Sequence, residues 1–303
     1  MTNFIPIAYH KKYKLSLPKG HRFPMEKYEL LPLQLMHEGV SNKSDFFLPK
    51  SAKIEDVLEI HDKGYIMKLI NLDLTKSEIR KIGFPLTKEL IDREFLIVGG
   101  TIMGAEKALK YGISMNIAGG THHAFSNRGE AFCLLNDQAI AAKYLLKNKK
   151  INKILIIDLD VHQGNGTASI FKSNKKVFTF SMHGSKNFPF KKEKSDLDIH
   201  LEDNTSDEKY INKLKEILSK LIEEFKPQFV FYLSGVDVIN TDKLGRLSLS
   251  LEGCRKRDEI VFSLCENKNI PVQCSMGGGY SEDIKTIVNA HANTFKIANE
   301  IFT

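Results

Sequence analysis

Ile156-Ile157-Asp158-Leu159-Asp160-Val161-His162-Gln163-Gly164-Asn165-Gly166 runs out of an apolar segment into two carboxylates and an imidazole. From about residue 113 onward, short β-branched runs of this kind alternate with longer amphipathic segments, the pattern of a parallel sheet flanked by helices. Strands are expected over residues 113–117, 153–159, 177–182, 228–233 and 271–275. Helices are expected over 136–147, 207–224, 251–266 and 281–301, and earlier over 25–37 and 90–111, the last interrupted at Gly99-Gly100. The unusual polar residues all follow strands. Gly119-Gly120-Thr121-His122-His123 comes after the first, Asp158 to His162 closes the second and Ser181-Met182-His183 the third. Asp237 comes after the fourth and Gly277-Gly278-Gly279-Tyr280 after the fifth. In an open α/β fold these segments meet at the carboxyl-terminal edge of the sheet, where such folds hold their ligands.

Those residue types carry a definite chemistry. A period of two along an extended chain points Asp158, Asp160 and His162 the same way. Asp160 and His162 offer one oxygen and one nitrogen, a mixture that suits zinc, and Asp237 is the natural third ligand, leaving a position for water. Capping of the following helix is the structural alternative for Asp160 and His162. A lone buried histidine usually satisfies a structural hydrogen bond, but two in tandem behind Gly119 and Gly120 fit proton transfer better. Asp158 and Asn165 are candidates to accept from the far ring nitrogens and fix the tautomers. Tyr280 presents a phenol where an oxyanion would develop opposite a metal.

Composition bounds the remainder. A chain of 303 residues is within reach of a single α/β domain, and one catalytic domain over 1–303 is expected. With 42% hydrophobic and 27% charged residues the chain has enough apolar material for a continuous core, which leaves disorder to short loops. The net charge is +7, but the lysines are scattered. Their densest run, residues 186–194 with Phe188 and Phe190 beside Pro189, reads as a solvated loop, so no nucleic-acid partner is expected. Cys133, Cys254, Cys265 and Cys274 form no C-x-x-C pair, and reduced thiols fit a cytoplasmic protein. The apolar run in MTNFIPIAYHKKYKL is too short for a signal peptide, and no segment approaches the roughly 18 to 20 apolar residues of a spanning helix.

The stretches GGTHHAFSNRGEAFCLLND (119–137), IIDLDVHQGNG (156–166), DKLGRLSLS (242–250) and GGGY (277–280) resemble those of histone deacetylases, and among them the class IV branch with its bacterial relatives. The similarity runs from Ile82-Gly83-Phe84-Pro85 through Tyr280. It implies the arginase/deacetylase fold, a three-layer α/β sandwich with a central, mostly parallel sheet and helices on both faces. It also implies hydrolysis of the amide of acyl-lysine in a protein or peptide. Asp160, His162 and Asp237 would hold one zinc ion, a ligand set that iron or cobalt also fits. His123 would act as general base and later protonate the leaving amine, His122 would tune the charge beside it, and Tyr280 would hold the oxyanion. A potassium ion is implied at Asp158, Asp160, His162, Ser181 and Met182. Phe132 and Phe188 resemble the aromatic walls of the acyl-lysine tunnel, with Ala131, Leu244 and Gly278 lining it.

Departures from the wider family sharpen the expectation. Asn165 stands where most class I members carry Asp, and loss of that charge is expected to lower the pKa of His123. Class IV members share this Asn, and their removal of fatty acyl chains implies a preference for long chains here. Ala131 replaces a Gly of the tunnel wall. Leu244 lies where polyamine-specific relatives carry a Glu, so a cationic polyamine finds no partner. Two other classes compete with the deacylase. A ureohydrolase of the same fold, or a related amidohydrolase of small acyl-amines, is the first; the two-metal version needs acids where Gly164 and Ile239 stand. The second is a non-catalytic module that binds acyl-lysine.

Overall fold

The computed structural model describes residues 4–149 and 151–303; Met1 to Asn3 of the stretch inspected for a signal lie outside them. Eight strands form one sheet: β1 (Ile7–Ala8), β2 (Phe46–Phe47), β3 (Ile113–Asn116), β4 (Ile154–Asp158), β5 (Val177–Gly184), β6 (Leu197–Leu201), β7 (Phe229–Leu233) and β8 (Val272–Ser275). Their order is β2-β1-β3-β8-β7-β4-β5-β6, with every pair parallel. The five strands expected from the sequence are all present. They are also the five consecutive central positions, β3-β8-β7-β4-β5.

The central strands β3, β4, β7 and β8 are buried at every residue, as a parallel sheet covered on both faces requires. The helices are α1 (Lys27–His37), α2 (Ile54–Val57), α3 (Lys63–Ile70), α4 (Lys76–Ile82), α5 (Lys88–Tyr111), α6 (Asp137–Asn148), α7 (Asn165–Phe171), α8 (Asp207–Phe225), α9 (Leu251–Asn267) and α10 (Ile284–Phe302). The six longest fall into two packed groups, α5 with α6 and the run α8-α9-α10-α1, giving the three-layer arrangement. Ends are set by local chemistry. Thr87 caps α5 by accepting from the Leu90 N–H, Asn136 caps α6 through Ala139, and Ser250 caps α9 through Gly253.

Two features differ from the sequence expectation. Helix α5 is continuous through Gly99 and Gly100, where an interruption was expected. A Cβ on Gly99 would lie 1.7 Å from the Lys50 carbonyl oxygen, and one on Gly100 would lie 2.4 Å from the Tyr13 hydroxyl. These glycines let neighbouring chain press against the helix; tertiary contact outweighs the roughly 1 kcal/mol per residue that glycine costs a helix. Strands β1, β2 and β6 had no counterpart among the expected strands. Two residues carry no period, whereas β6, Leu197-Asp198-Ile199-His200-Leu201, does alternate apolar and polar positions, a period-two signal that an expectation built on continuous apolar runs passes over.

Candidate active site

Strand β4 ends at Asp158, so Asp160 and His162 lie in the loop beyond it. There the alternation gives way to turns. The Asp160 N–H donates to Asp158 Oδ1 at 3.2 Å and the His162 N–H to Asp160 Oδ1 at 3.0 Å. Neither residue caps α7: the cap position is Gly164, without a side-chain bond. Instead both face Asp237, from the loop after β7, and the three buried side chains present ligand atoms within 4.8 Å of one another.

Backbone N–H groups from two loops, those after β4 and β8, fix the spare carboxylate oxygens. Val161 donates to Asp237 Oδ1 at 2.9 Å and Gly278 to Asp160 Oδ2 at 3.0 Å. Gly278 has no substitute here, because a Cβ would sit 2.2 Å from Asp237 Oδ2 and 2.8 Å from Asp160 Oδ2. His162 Nδ1 lies 3.0 Å from Asp160 Oδ1 and 3.2 Å from Asp237 Oδ2.

The electrostatics of this trio demand positive charge. Burial, then the charge of Asp160, pushes the Asp237 carboxyl upward. Burial disfavours the His162 imidazolium, yet hydrogen bonds to Asp160 and Asp237 raise it to about 10. A buried oxygen, nitrogen, oxygen donor set that draws in protons is suited to a divalent cation.

The tandem histidines are pushed in opposite directions. His122 Nδ1 is 2.7 Å from Asp158 Oδ2; burial opposes its imidazolium, but the charges of Asp158 and then Asp160 raise its pKa. His123 Nδ1 is 2.7 Å from Asn165 Oδ1, and its pKa falls well below the ordinary value. Burial is the main cause, followed by the charges of His122 and His162, while the Asn165 bond acts in the opposite sense. Dehydration, not the absence of an acid at Asn165, leads the shift.

Tyr280 is half-buried, and its backbone N–H donates to Asp242 Oδ2 at 2.6 Å. Burial, then the charges of Asp160 and Asp237, raises its pKa well above the ordinary value, so the phenol keeps its proton. One cavity of about 820 Å³ is lined by His122, His123, Asp160, His162, Gly278 and Tyr280, together with Ala131, Phe132, Phe188 and Leu244. The Phe188 ring packs edge-on to His123 at 5.0 Å between centroids, and Phe132 lies 6.0 Å from Tyr280. Asp158, Asn165, Ser181, Met182 and Asp237 are not among the lining residues. Ser181 sits opposite Asp158 in the β4–β5 register, with its hydroxyl 2.9 Å from His183 Nδ1.

Ala131 and Phe132 have φ of 44° and 68°, the left-handed region that favours glycine, which fits the Gly that the resemblance implies at the first. The loop is held there by hydrogen bonds from the Ala131 and Phe132 N–H groups to the carbonyls of Lys81 and Ile82.

Several supporting residues were not singled out from the sequence. Lys27, fully buried, donates from Nζ to the Gly277 carbonyl at 3.1 Å and lies 5.6 Å from the centre of the Tyr280 ring. Asp242 also accepts from the N–H groups of Leu244 and Gly245, tying the loop after β7 to the Tyr280 turn. Asp137 accepts from the N–H groups of Gly120 and Thr121, both at 2.9 Å, and so fixes the turn that presents the histidines. Arg257 and Asp258 lie fully buried on the core face of α9, among Cys254, Val261 and Phe262. Charge on the apolar stripe of an amphipathic helix was the signal that could have revealed them.

A family model described as a histone deacetylase domain matches residues 21–295. An uncharacterized protein of Picosynechococcus is 39% identical over 297 residues, 98% of this chain and 99% of its own. A probable deacetylase of Archaeoglobus fulgidus is 30% identical across 91% of this chain and 81% of its own. Histone deacetylase 2 of Arabidopsis thaliana is 29% identical across 94% and 76%. Among solved structures, that of a histone deacetylase homologue complexed with SAHA matches with a TM-score of 0.85 and 25% identity, covering 98% of this chain and 84% of that one.

Proposed function

The chain belongs to the histone deacetylase family, and from that premise we propose that residues 1–303 form one catalytic domain, which hydrolyses the amide bond of N6-acyl-lysine with one zinc ion. The observation that carries the reading is the convergence of Asp160, His162 and Asp237 within 4.8 Å, with Asp160 and His162 opening on the cavity that His123 and Tyr280 also line and Asp237 buried behind them. A divalent cation on those three residues supplies Lewis-acid polarisation of the acyl carbonyl and lowers the pKa of a water beside it.

The protein's own groups account for the proton traffic. His123 is neutral, and with Nδ1 occupied by Asn165 its Nε2 is free to take the proton of the attacking water. The same atom then returns that proton to the leaving amine. His122 shares its proton with Asp158 and holds positive charge beside the developing negative charge. The protonated Tyr280 hydroxyl donates to the oxyanion. Phe132 and Phe188 flank the aliphatic stem of the lysine.

The cavity is also lined by buried Tyr28, Arg93 and Ile97, which supports room for a long acyl chain, and Asn165 supports membership of the class IV branch. Asp158, Asp160, His162, Ser181 and Met182 are the candidates for a structural potassium ion, and Leu244 leaves a polyamine unpaired. We assign the protein to the cytoplasm; no helix among the described residues is long and apolar enough to cross a membrane. The two-metal alternative loses support at Gly164, where a Cβ would already lie 2.3 Å from Asp158 Oδ2.

The test is a panel of lysine peptides with acyl chains of graded length, assayed with and without a chelator. Turnover should vanish on chelation, return with zinc, and favour myristoyl over acetyl. Cleavage of acetyl-lysine at least as fast as myristoyl-lysine removes the chain-length claim, and unchanged turnover in chelator removes the metal mechanism. Binding without turnover, unaffected by Tyr280→Phe, leaves a non-catalytic module.

A further inference from the structure

The mouth of the cavity is ringed by cations from four separate segments: Arg22 before α1, Lys81 in α4, Lys186 after β5, and Lys243 with Arg246 after β7. Their own partners are few. Asp203 serves both Lys186, at 3.6 Å, and Arg246, at 3.1 Å, and Glu282 lies 3.7 Å from Lys243. Arg22 stacks over the Phe132 ring at 5.1 Å, and neither it nor Lys81 has a carboxylate partner among the described residues. Glu130, the one carboxylate in the wall above the metal site, is paired with Arg128 at 2.9 Å. The five rim cations therefore stand against two partner carboxylates, Asp203 and Glu282, which leaves the rim net positive where a substrate backbone would leave the tunnel. Phe190, 91% exposed beside it, adds an apolar contact outside the tunnel.

From this ring we infer that the preferred substrates are acyl-lysines set in acidic polypeptide sequence. The inference rests on the deacylase reading and names its substrate class. A small acyl-amine held in the tunnel has no groups that span cations on four sides, whereas residues flanking an acyl-lysine on both sides do. Opposed charges at such a rim steer encounter and fix register, and same-sign charges repel a wrong partner. A basic peptide meets that repulsion here.

Three peptides with the same central acyl-lysine test the inference, flanked by Gly and Ser, by Asp and Glu, or by Lys and Arg. The acidic peptide should exceed the basic one by roughly ten-fold in kcat/KM at low ionic strength, mainly through KM. The gap should close as salt approaches about 1 M, where the screening length is about 3 Å. The pair Arg22→Glu and Lys81→Glu should bring the acidic-to-basic ratio down to unity or below. Because a ratio is read, general damage to the fold lowers both numbers and leaves it unchanged. Equal or better turnover of the basic peptide overturns the inference while the neutral peptide still reports the activity. No turnover of any peptide strikes at the deacylase reading instead. If a polyanionic nucleic acid competes with the peptides as strongly as an equally charged acidic peptide does, the ring is a general anion surface and the polypeptide claim falls.

Discussion

Replacing Arg257 should unsettle the metal site without touching it. The guanidinium donates to the carbonyls of Leu159 at 3.2 Å and Ser234 at 3.1 Å, to that of Gly235, and to Asp258 at 2.8 Å. Leu159 immediately precedes Asp160, and Gly235 lies two residues before Asp237, so one buried side chain holds both ligand loops. Arg257→Met keeps the volume but leaves Asp258 a buried carboxylate without its cation, although it still accepts from the hydroxyls of Tyr232 and Thr294. Breaking a buried pair in this way costs about 3–5 kcal/mol, a large share of the roughly 5–15 kcal/mol that keeps a domain folded.

Adding Asp258→Leu removes the orphaned charge and should recover part of that loss. It cannot restore the bonds to three carbonyls, each worth about 1 kcal/mol or more, so the double variant should remain less stable than the parent. Urea unfolding followed by circular dichroism reads the stability. Competition with a chromophoric chelator reads zinc affinity, expected to fall about 10- to 100-fold in both variants, as for other residues that orient ligands. Arg257→Met within roughly 1 kcal/mol of the parent, with unchanged zinc affinity, would refute the reasoning.

Tyr280→Phe should lower kcat about 10²- to 10³-fold with zinc affinity intact; a loss under five-fold would remove the hydroxyl from the reaction. His61 supplies a pH test of the fold. Burial lowers its pKa to about 4, and its Nε2 accepts from the Asn136 N–H at 3.0 Å, so the folded chain resists protonating it while the unfolded chain does not. Its contribution is complete above pH 6.5 and is lost as pH falls towards 4, about 3 kcal/mol in all. His61→Gln should flatten that part of the stability profile in urea, and an identical slope in both proteins would count against it. Gly99→Ala, which in an open helix stabilises by about 1 kcal/mol, should destabilise by about 1–3 kcal/mol because its Cβ meets the Lys50 carbonyl. A raised melting temperature would contradict this contact.

Much of the fold was legible because its signals are local. The five central strands are short apolar runs bounded by Gly, Asp or Ser, and capping by Asn136 and Ser250 marks where helices begin. The residues placed after those strands met at one rim, because parallel strands all end on the same side. Strands β1 and β2 were not legible, since two residues carry no pattern, and Gly99-Gly100 misled because a break and a close approach use the same residue.

The candidate site divides in the same way. Its donor atoms, tandem imidazoles and phenol are matters of residue type and spacing, which a chain displays along its length. That Lys27 lies beneath the Gly277 carbonyl, 250 residues away, that Arg257 braces two ligand loops, and that five cations from four segments ring one mouth are long-range meetings. The sequence determined which chemical groups this protein has and on which strand ends they stand. Only the tertiary structure decided which are buried together and which face the entering substrate, because desolvation and charge proximity depend on distance in space.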